Sequence, residues 1–301
     1  MRLPTHAPST TRLLYCLLLA ATPLLASRLH AQDTTTTANL RPTPEGAVLL
    51  LTLVDGSVLQ GRALEITATT IRFRSALGET EVPRAAVRSL RVADSGQLHD
   101  GAVWPEDPSR TRLFFAPTGR MLRQGEVYFA DAYVFFPSVQ AGLTDRFTLG
   151  AGASLFPGLG IDKQLYYLTP KLGLVSGPTF NLAVGALIAG AQGLTESPVG
   201  IAYGVATFGG ENSNVSTGAG VAFHRGTTDQ SALLMVGGAQ RISRNVALVS
   251  ENYLYTGNAS STVLSGGVRF IGERLSVDLA GFIAPSELTF PIPYLAFIYK
   301  F

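Results

Sequence analysis

The chain is short of cysteine, histidine and charge, and each shortage removes a class of function. Its single cysteine, Cys16, lies close to the start, so no disulfide can form within the remainder. Of four histidines only His99 and His224 lie beyond residue 31, too few for a histidine-rich metal site. Charged residues make up 15% of the 301 and mean hydropathy is +0.25, which is too apolar for a disordered chain. Net charge is +2 and the basic residues are scattered, with no basic run beside aromatics of the kind a nucleic-acid groove needs. No stretch reaches the roughly 20 apolar residues of a helical membrane span.

What is present begins with a targeting pattern. Arg2, His6 and Arg12 precede the apolar run Leu13 to Ala26, and small residues follow towards Ala31. This three-part arrangement is that of a secretory signal peptide over residues 1–31. Tyr15 is bulky where a lipid-attachment site takes a small residue, which argues against lipidation at Cys16. Residues 32–46 are Thr- and Pro-rich without apolar period and read as a linker.

Residues 47–92 carry short alternating runs punctuated by Asp55-Gly56, Gly61, Thr69-Thr70 and Gly78. Asp-Gly between two β-rich runs is a hairpin signal, and five short strands fit this length. The stretch LVDGSVLQGRALEI resembles the opening of Sm-like and other SH3-like small barrels. That resemblance implies a small curled barrel. The second Sm signature, which carries the RNA-contacting residues, is absent, and export separates the chain from cytoplasmic RNA, so no nucleic-acid partner is expected. Residues 93–110 turn polar, with Gly96, Gly101, Pro105 and Pro108 around the only tryptophan, Trp104, and read as a second linker.

From residue 111 to 301 runs of about ten residues alternate between apolar side chains on one parity and Gly, Ala, Ser or Thr on the other. Phe147 to Leu155, Asn214 to Phe223 and Leu275 to Ala280 show it clearly. A soluble sandwich would charge its outer face. A small, nearly uncharged second face instead fits a transmembrane antiparallel β-barrel, with lipid against the apolar parity. Short turns alternate with longer links, as in outer-membrane barrels. Twelve strands result if Leu113 to Pro117 is the first strand, and ten if Leu113-Phe114-Phe115 plugs or skirts the barrel. The fold class is therefore all-β throughout.

The ending PYLAFIYKF resembles the C-terminal insertion signal of bacterial outer-membrane proteins. The resemblance assigns Phe297, Tyr299 and Phe301 to recognition by the barrel-assembly machinery. It also implies residence in outer-membrane lipid, with the C-terminus and the 47–92 module in the periplasm. The inward parity includes Thr148, Gly150, Gly152, Ser154, Gly200, Ala202, Gly204, Ser216, Gly218 and Gly220. Lys171, Glu251, Arg269, Asp278 and Lys300 are its charges, and Glu251 with Arg269 is the expected pair. Such charges serve either a structural network or solute selection. Asp131 shares parity with lipid-facing Phe129 and Tyr133 and should lie beyond the apolar band.

No cofactor or metal is called for, and no catalytic residue is assigned. Three functions remain: a narrow pore or transport channel for small solutes, a closed barrel anchoring a module for a periplasmic or cell-wall partner, and an outer-rim enzyme. The last would use His224 with Arg225, Asp229 and Ser231.

Overall fold

The computed structural model describes residues 47–93, 98–99, 102–191, 198–224, 227–257, 261–286 and 288–301. The signal peptide and first linker lie outside these residues. The chain divides into two compact units between Val103 and Trp104. Residues 104–110, read from sequence as linker, therefore belong to the second unit.

In the first unit β1 (Leu49–Leu53), β2 (Val58–Ile66), β3 (Thr70–Ser75), β4 (Gly78–Pro83) and β5 (Val87–Val92) form one antiparallel sheet of order β4-β3-β2-β1-β5. Asp55 and Gly56 make the β1–β2 turn. The Asp55 carboxylate accepts the Ser57 N–H at 2.8 Å, which holds its pKa below the usual value. Gly56 takes φ +89°, a conformation costly for any side chain. Leu49, Leu51, Ile71, Phe73, Val82 and Val87 alternate onto one face and meet in a single core. A two-stranded ribbon, β6 (Leu98–His99) and β7 (Ala102–Val103), completes the unit. Val103 packs with Leu50 and Ala93.

The second unit is a closed barrel of twelve antiparallel strands. They are β8 (Val127–Ala132), β9 (Phe136–Thr144), β10 (Phe147–Ala153), β11 (Leu165–Ser176), β12 (Phe180–Ala191), β13 (Val199–Gly209), β14 (Ser213–His224), β15 (Thr227–Ser243), β16 (Val246–Tyr255), β17 (Ser261–Ile271), β18 (Leu275–Ile283) and β19 (Ile292–Lys300). Closure is made by β19 against β8, with Tyr299 opposite Phe129 and Ala296 opposite Ala132. Closure removes both sheet edges, so the backbone groups are paired without water. Leu149, Leu172, Val184, Val215, Leu248 and Leu279 stand exposed around the outside. A continuous apolar exterior on a barrel without edges is what lipid requires.

The strand count of twelve is reached by another route than the one expected. Leu113 to Pro117 is not a wall strand. The first two strands come from residues 127–144, which alternation alone joins into one. They are divided at Tyr133 and Val134, whose φ values are 58° and 67°. This left-handed pair makes the tight turn without the Gly or Asn that normally marks it. Asp131 lies beside it, buried, and accepts the Phe136 N–H at 3.2 Å.

Candidate functional site

Residues 104–126 run inside the barrel. Arg112 bridges Pro117, Leu113 N–H donates to Ala116 at 2.8 Å, and Thr118 N–H donates to Thr111 at 3.0 Å. The result is a hairpin with its tip at Phe114 and Phe115. Leu113, Phe114, Ala116, Met121 and Leu122 are buried. Arg110, Arg112 and Arg120 flank the apolar tip in sequence, and three guanidinium groups so close together would be costly against lipid. That is the physical reason this segment lies inside rather than in the wall.

A hairpin outside any sheet leaves backbone groups that must find partners. The wall supplies them through its inward charges. Glu251, fully buried, accepts the N–H groups of Phe114, Phe115 and Ala116 on one oxygen at 2.8, 3.0 and 3.0 Å. Its other oxygen accepts the Tyr253 hydroxyl at 2.7 Å. Lys171 donates to the carbonyls of Thr111, Thr118 and Arg120 at 3.3, 3.3 and 2.7 Å, matching three ammonium protons to three acceptors. Arg269 holds Asp278 through Nε at 2.7 Å and Nη2 at 3.0 Å, Asp107 through Nη1 at 3.0 Å, and the Leu113 carbonyl at 2.6 Å. Thr207 accepts the Gly119 N–H at 2.8 Å.

The expected Glu251–Arg269 pair does not form. Arg269 stands opposite Ala247 on β16 and Asp278 on β18, so its carboxylate comes from the other neighbouring strand. Glu251 lies further along β16, where Ser250, Asn252 and Ser265 interrupt the ladder. Ser265 N–H donates to Asn252 Oδ1 at 3.0 Å, and Glu251 N–H to Ser265 Oγ at 3.1 Å. The polar pair on the outer parity is thus used up in bridging strands.

At the end of the barrel where β19 finishes, Lys300 reaches Glu106 and Glu126, both at 2.9 Å. Arg110 pairs with the same two carboxylates. Burial works to raise both carboxyls, but Arg110 and Lys300 outweigh it and hold them below the ordinary range. The short turns between β9 and β10, β11 and β12, and β17 and β18 share this end. The hairpin enters and leaves here. Its tip meets Tyr133, Phe282 and Tyr294 towards the opposite end, with Phe115 and Tyr294 ring centroids 4.8 Å apart.

One strand reverses the expected parity. Ile201, Tyr203, Val205 and Thr207 line the inside of β13, while Gly200, Ala202 and Gly204 lie outside. The cause is packing between strands. Tyr203 stands opposite Gly185 on β12 and Gly220 on β14, and a Cβ on Gly185 would lie 2.5 Å from its hydroxyl. The large ring takes the space those glycines leave, so large side chains there mark the interior. Thr148, Gly150, Ser154, Ser216, Gly218 and Gly220 do face inward.

Beside the hairpin remains a chamber of about 240 Å³. Thr111, Arg112 and Phe115 form its hairpin side, and Thr148, Lys171, Leu187, Ile201, Tyr203, Leu233, Met235 and Tyr253 are among its wall residues. His224 is exposed at the end of β14; Arg225 and the Asp229 side chain lie outside the described residues. Among the described residues no cluster of His, Cys, Asp or Glu has the makings of a metal site. Phe297, Tyr299 and Phe301 lie on the outer parity of the closing strand and its end.

A closed antiparallel barrel of twelve strands with an apolar exterior defines an outer-membrane β-barrel protein. No family model and no curated protein matches the chain. Solved structures that resemble it are barrels of the same kind. The KdgM porin in complex with disordered oligogalacturonate shares 7% identity over 58% of this chain and 98% of its own, with TM-score 0.45. The NanC porin shares 6% over 58% and 97%, with TM-score 0.40. OmpF of Salmonella typhi in complex with daunomycin shares 8% over 85% and 95%, with TM-score 0.33. At these identities the likeness concerns architecture alone.

Proposed function

We propose that the chain is a plugged transport barrel for small solutes of the outer membrane, closed at rest by the hairpin of residues 104–126. The observation that carries this reading is how the hairpin is held. Single buried charges of the wall, Glu251 and Lys171, grip its backbone, and no strand ladder joins it to the barrel wall among the described residues. A segment held by side-chain contacts and apolar packing rather than by a strand ladder can leave its seat without breaking the wall. The inward charges then act first as latches, and as solute-selecting groups only once the hairpin has moved.

The hairpin enters from the end that carries the C-terminus, which the insertion-signal resemblance assigns to the periplasm. The same resemblance puts the 47–92 module in the periplasm, suited to contact a periplasmic protein or the cell wall. Phe297, Tyr299 and Phe301 would be read by the assembly machinery during insertion.

The test is planar-bilayer conductance of the full chain beside Glu251→Gln. Rare steps in the parent and frequent steps in the variant are expected. If both stay silent although heat-modifiability demonstrates folded barrels, transport is excluded. The second reading, a permanently closed barrel anchoring the 47–92 module, would then stand. It draws on the fact that every proton of Lys171 already has an acceptor. No observation carries the rim-enzyme reading through His224.

A further inference from the structure

We infer that the chamber beside the hairpin is a binding site for a small amphipathic anion, a carboxylate on an apolar body. Three features of its lining lead there. The first is charge. Arg112 and Lys171 both line the chamber, and no Asp or Glu does. Elsewhere in the lumen Arg269 is matched by Asp278 and Asp107, and Arg110 and Lys300 by Glu106 and Glu126. Among the described residues no carboxylate pairs with Arg112 or Lys171. The chamber thus has a basic side: Lys171 is already served by three carbonyls, while Arg112, whose Nη2 donates to the Phe114 carbonyl and the Tyr294 hydroxyl, keeps Nε unpartnered.

The second feature is unsatisfied donors. Arg112 Nε and Thr148 Oγ1 are buried and have no hydrogen-bond partner among the described residues. Buried polar groups left alone are rare, and each calls for an explanation. Both residues line this chamber; Arg112 Nε can only donate and the Thr148 hydroxyl is able to donate, so one acceptor would serve both. A carboxylate supplies acceptors and the missing charge together.

The third is the apolar share of the wall, which stands among Tyr128, Gln140, Thr169, Tyr203 and Tyr253. Leu187, Ile201, Leu233, Met235 and Phe115 are apolar, and Leu187 and Phe115 are 38% and 48% exposed although both face the lumen. A polyhydroxylated solute would turn part of its hydroxyls towards these apolar groups, which have nothing to offer them. An acyl chain or aromatic ring fits them. The volume of about 240 Å³ is below the roughly 300–1,000 Å³ of ordinary ligand pockets, so the body is small.

Because Thr111, Arg112 and Phe115 belong to the hairpin, a bound anion would touch the segment that closes the barrel. The inference deepens the plugged-transport reading and rests on it for its purpose, but binding and conduction are measured separately.

The experiment is fluorine NMR of para-trifluoromethylbenzoate added to the full chain in nanodiscs. The matching benzylamine and benzyl alcohol serve as charge controls. Saturable binding of the acid alone is expected. Arg112→Met and Thr148→Val should each weaken it about tenfold or more, as for loss of a charge-assisted hydrogen bond. Leu233→Trp should abolish it by filling the chamber without altering charge. Amine or alcohol binding as tightly as the acid overturns the inference. So does acid binding that survives both Thr148→Val and Leu233→Trp, the pair that decides if Arg112→Met does not fold. A Glu251→Gln barrel that conducts but ignores the acid removes the anion site and leaves transport standing. Acid binding to a barrel that never conducts keeps the site and removes transport.

Discussion

Glu251 Oε2 lies 2.8 Å from the amide nitrogen of Phe114, a residue 137 positions away in sequence. The same oxygen takes the next two N–H groups as well, so one carboxylate fixes the whole hairpin tip. Burying an ionised carboxylate is costly unless its lone pairs are used, and here the Tyr253 hydroxyl and the hairpin use them. Neither partner is satisfied without the other. The hairpin tip and the middle of β16 are therefore one energetic unit.

Glu251→Gln keeps the shape and removes the charge. Hydrogen bonds to a charged group contribute about 1.5–3 kcal/mol, so amide exchange at residues 114–116 should accelerate roughly 10- to 100-fold. The wall strands should exchange as before. Unchanged protection at the tip would mean that Glu251 is not its latch.

Arg269 is the opposite case, because removing it strands two carboxylates. Asp278 is 3% exposed and has its cation directly across the β17–β18 ladder. Arg269→Met should destabilise the barrel by about 3–5 kcal/mol, the range for breaking a buried pair. Arg269→Met with Asp278→Leu should recover part of that loss. Heat-modifiability on gels, compared across the four members of the cycle, decides it; strict additivity would contradict the pairing.

Much of this architecture was legible in the chain, and the illegible part has a common cause. Alternation along β14, β18 and β19 exposed the barrel, because lipid imposes one simple rule on outward residues. Asp55-Gly56 marked its turn because few other dipeptides adopt that geometry. The hairpin was harder. Leu113-Phe114-Phe115 reads as apolar whether lipid or a packed lumen receives it, and only the flanking arginines signalled the lumen. The Tyr133–Val134 turn carries no turn residue at all. On β13 the inward face is the larger one, since its shape is set by glycines on β12 and β14, which parity along one strand cannot register. The inward positions of Lys171, Glu251, Arg269 and Asp278 followed from alternation. Their partners did not, because those belong to a segment far away in sequence.

The cluster of Glu106, Glu126, Arg110 and Lys300 makes the hairpin's base sensitive to acid. Both carboxyls titrate below their ordinary value in the folded protein. A depressed carboxyl stabilises fully above its unfolded pKa, about 4.3 for Glu, and loses that contribution as pH falls through the folded value. Protection of residues around Glu106 and Arg110 should hold from pH 7 to about 5 and fall below about 4. In Glu106→Gln/Glu126→Gln the step should vanish and protection should be low throughout. A parent profile flat to pH 2 would refute the assignment.

Two glycines separate a functional contact from an indifferent one. A Cβ on Gly119 would lie 2.4 Å from the Asn181 carbonyl oxygen and 3.2 Å from the Thr207 nitrogen. Those are backbone atoms of β12 and β13 and cannot swing aside, so Gly119→Ala must push the hairpin off the wall. It should also stretch the Thr207 hydrogen bond to the Gly119 N–H. A Cβ on Gly204 meets nothing within 4 Å, on the outer side of β13. Gly204→Ala should change stability by less than about 0.5 kcal/mol. Trypsin reads the difference directly, since Arg120 is buried in the seated hairpin. Cleavage after Arg120 should accelerate in Gly119→Ala and match the parent in Gly204→Ala. Equal rates in all three would mean that the hairpin's seat does not depend on this contact, and acceleration in Gly204→Ala alone would restore the inward parity of that strand.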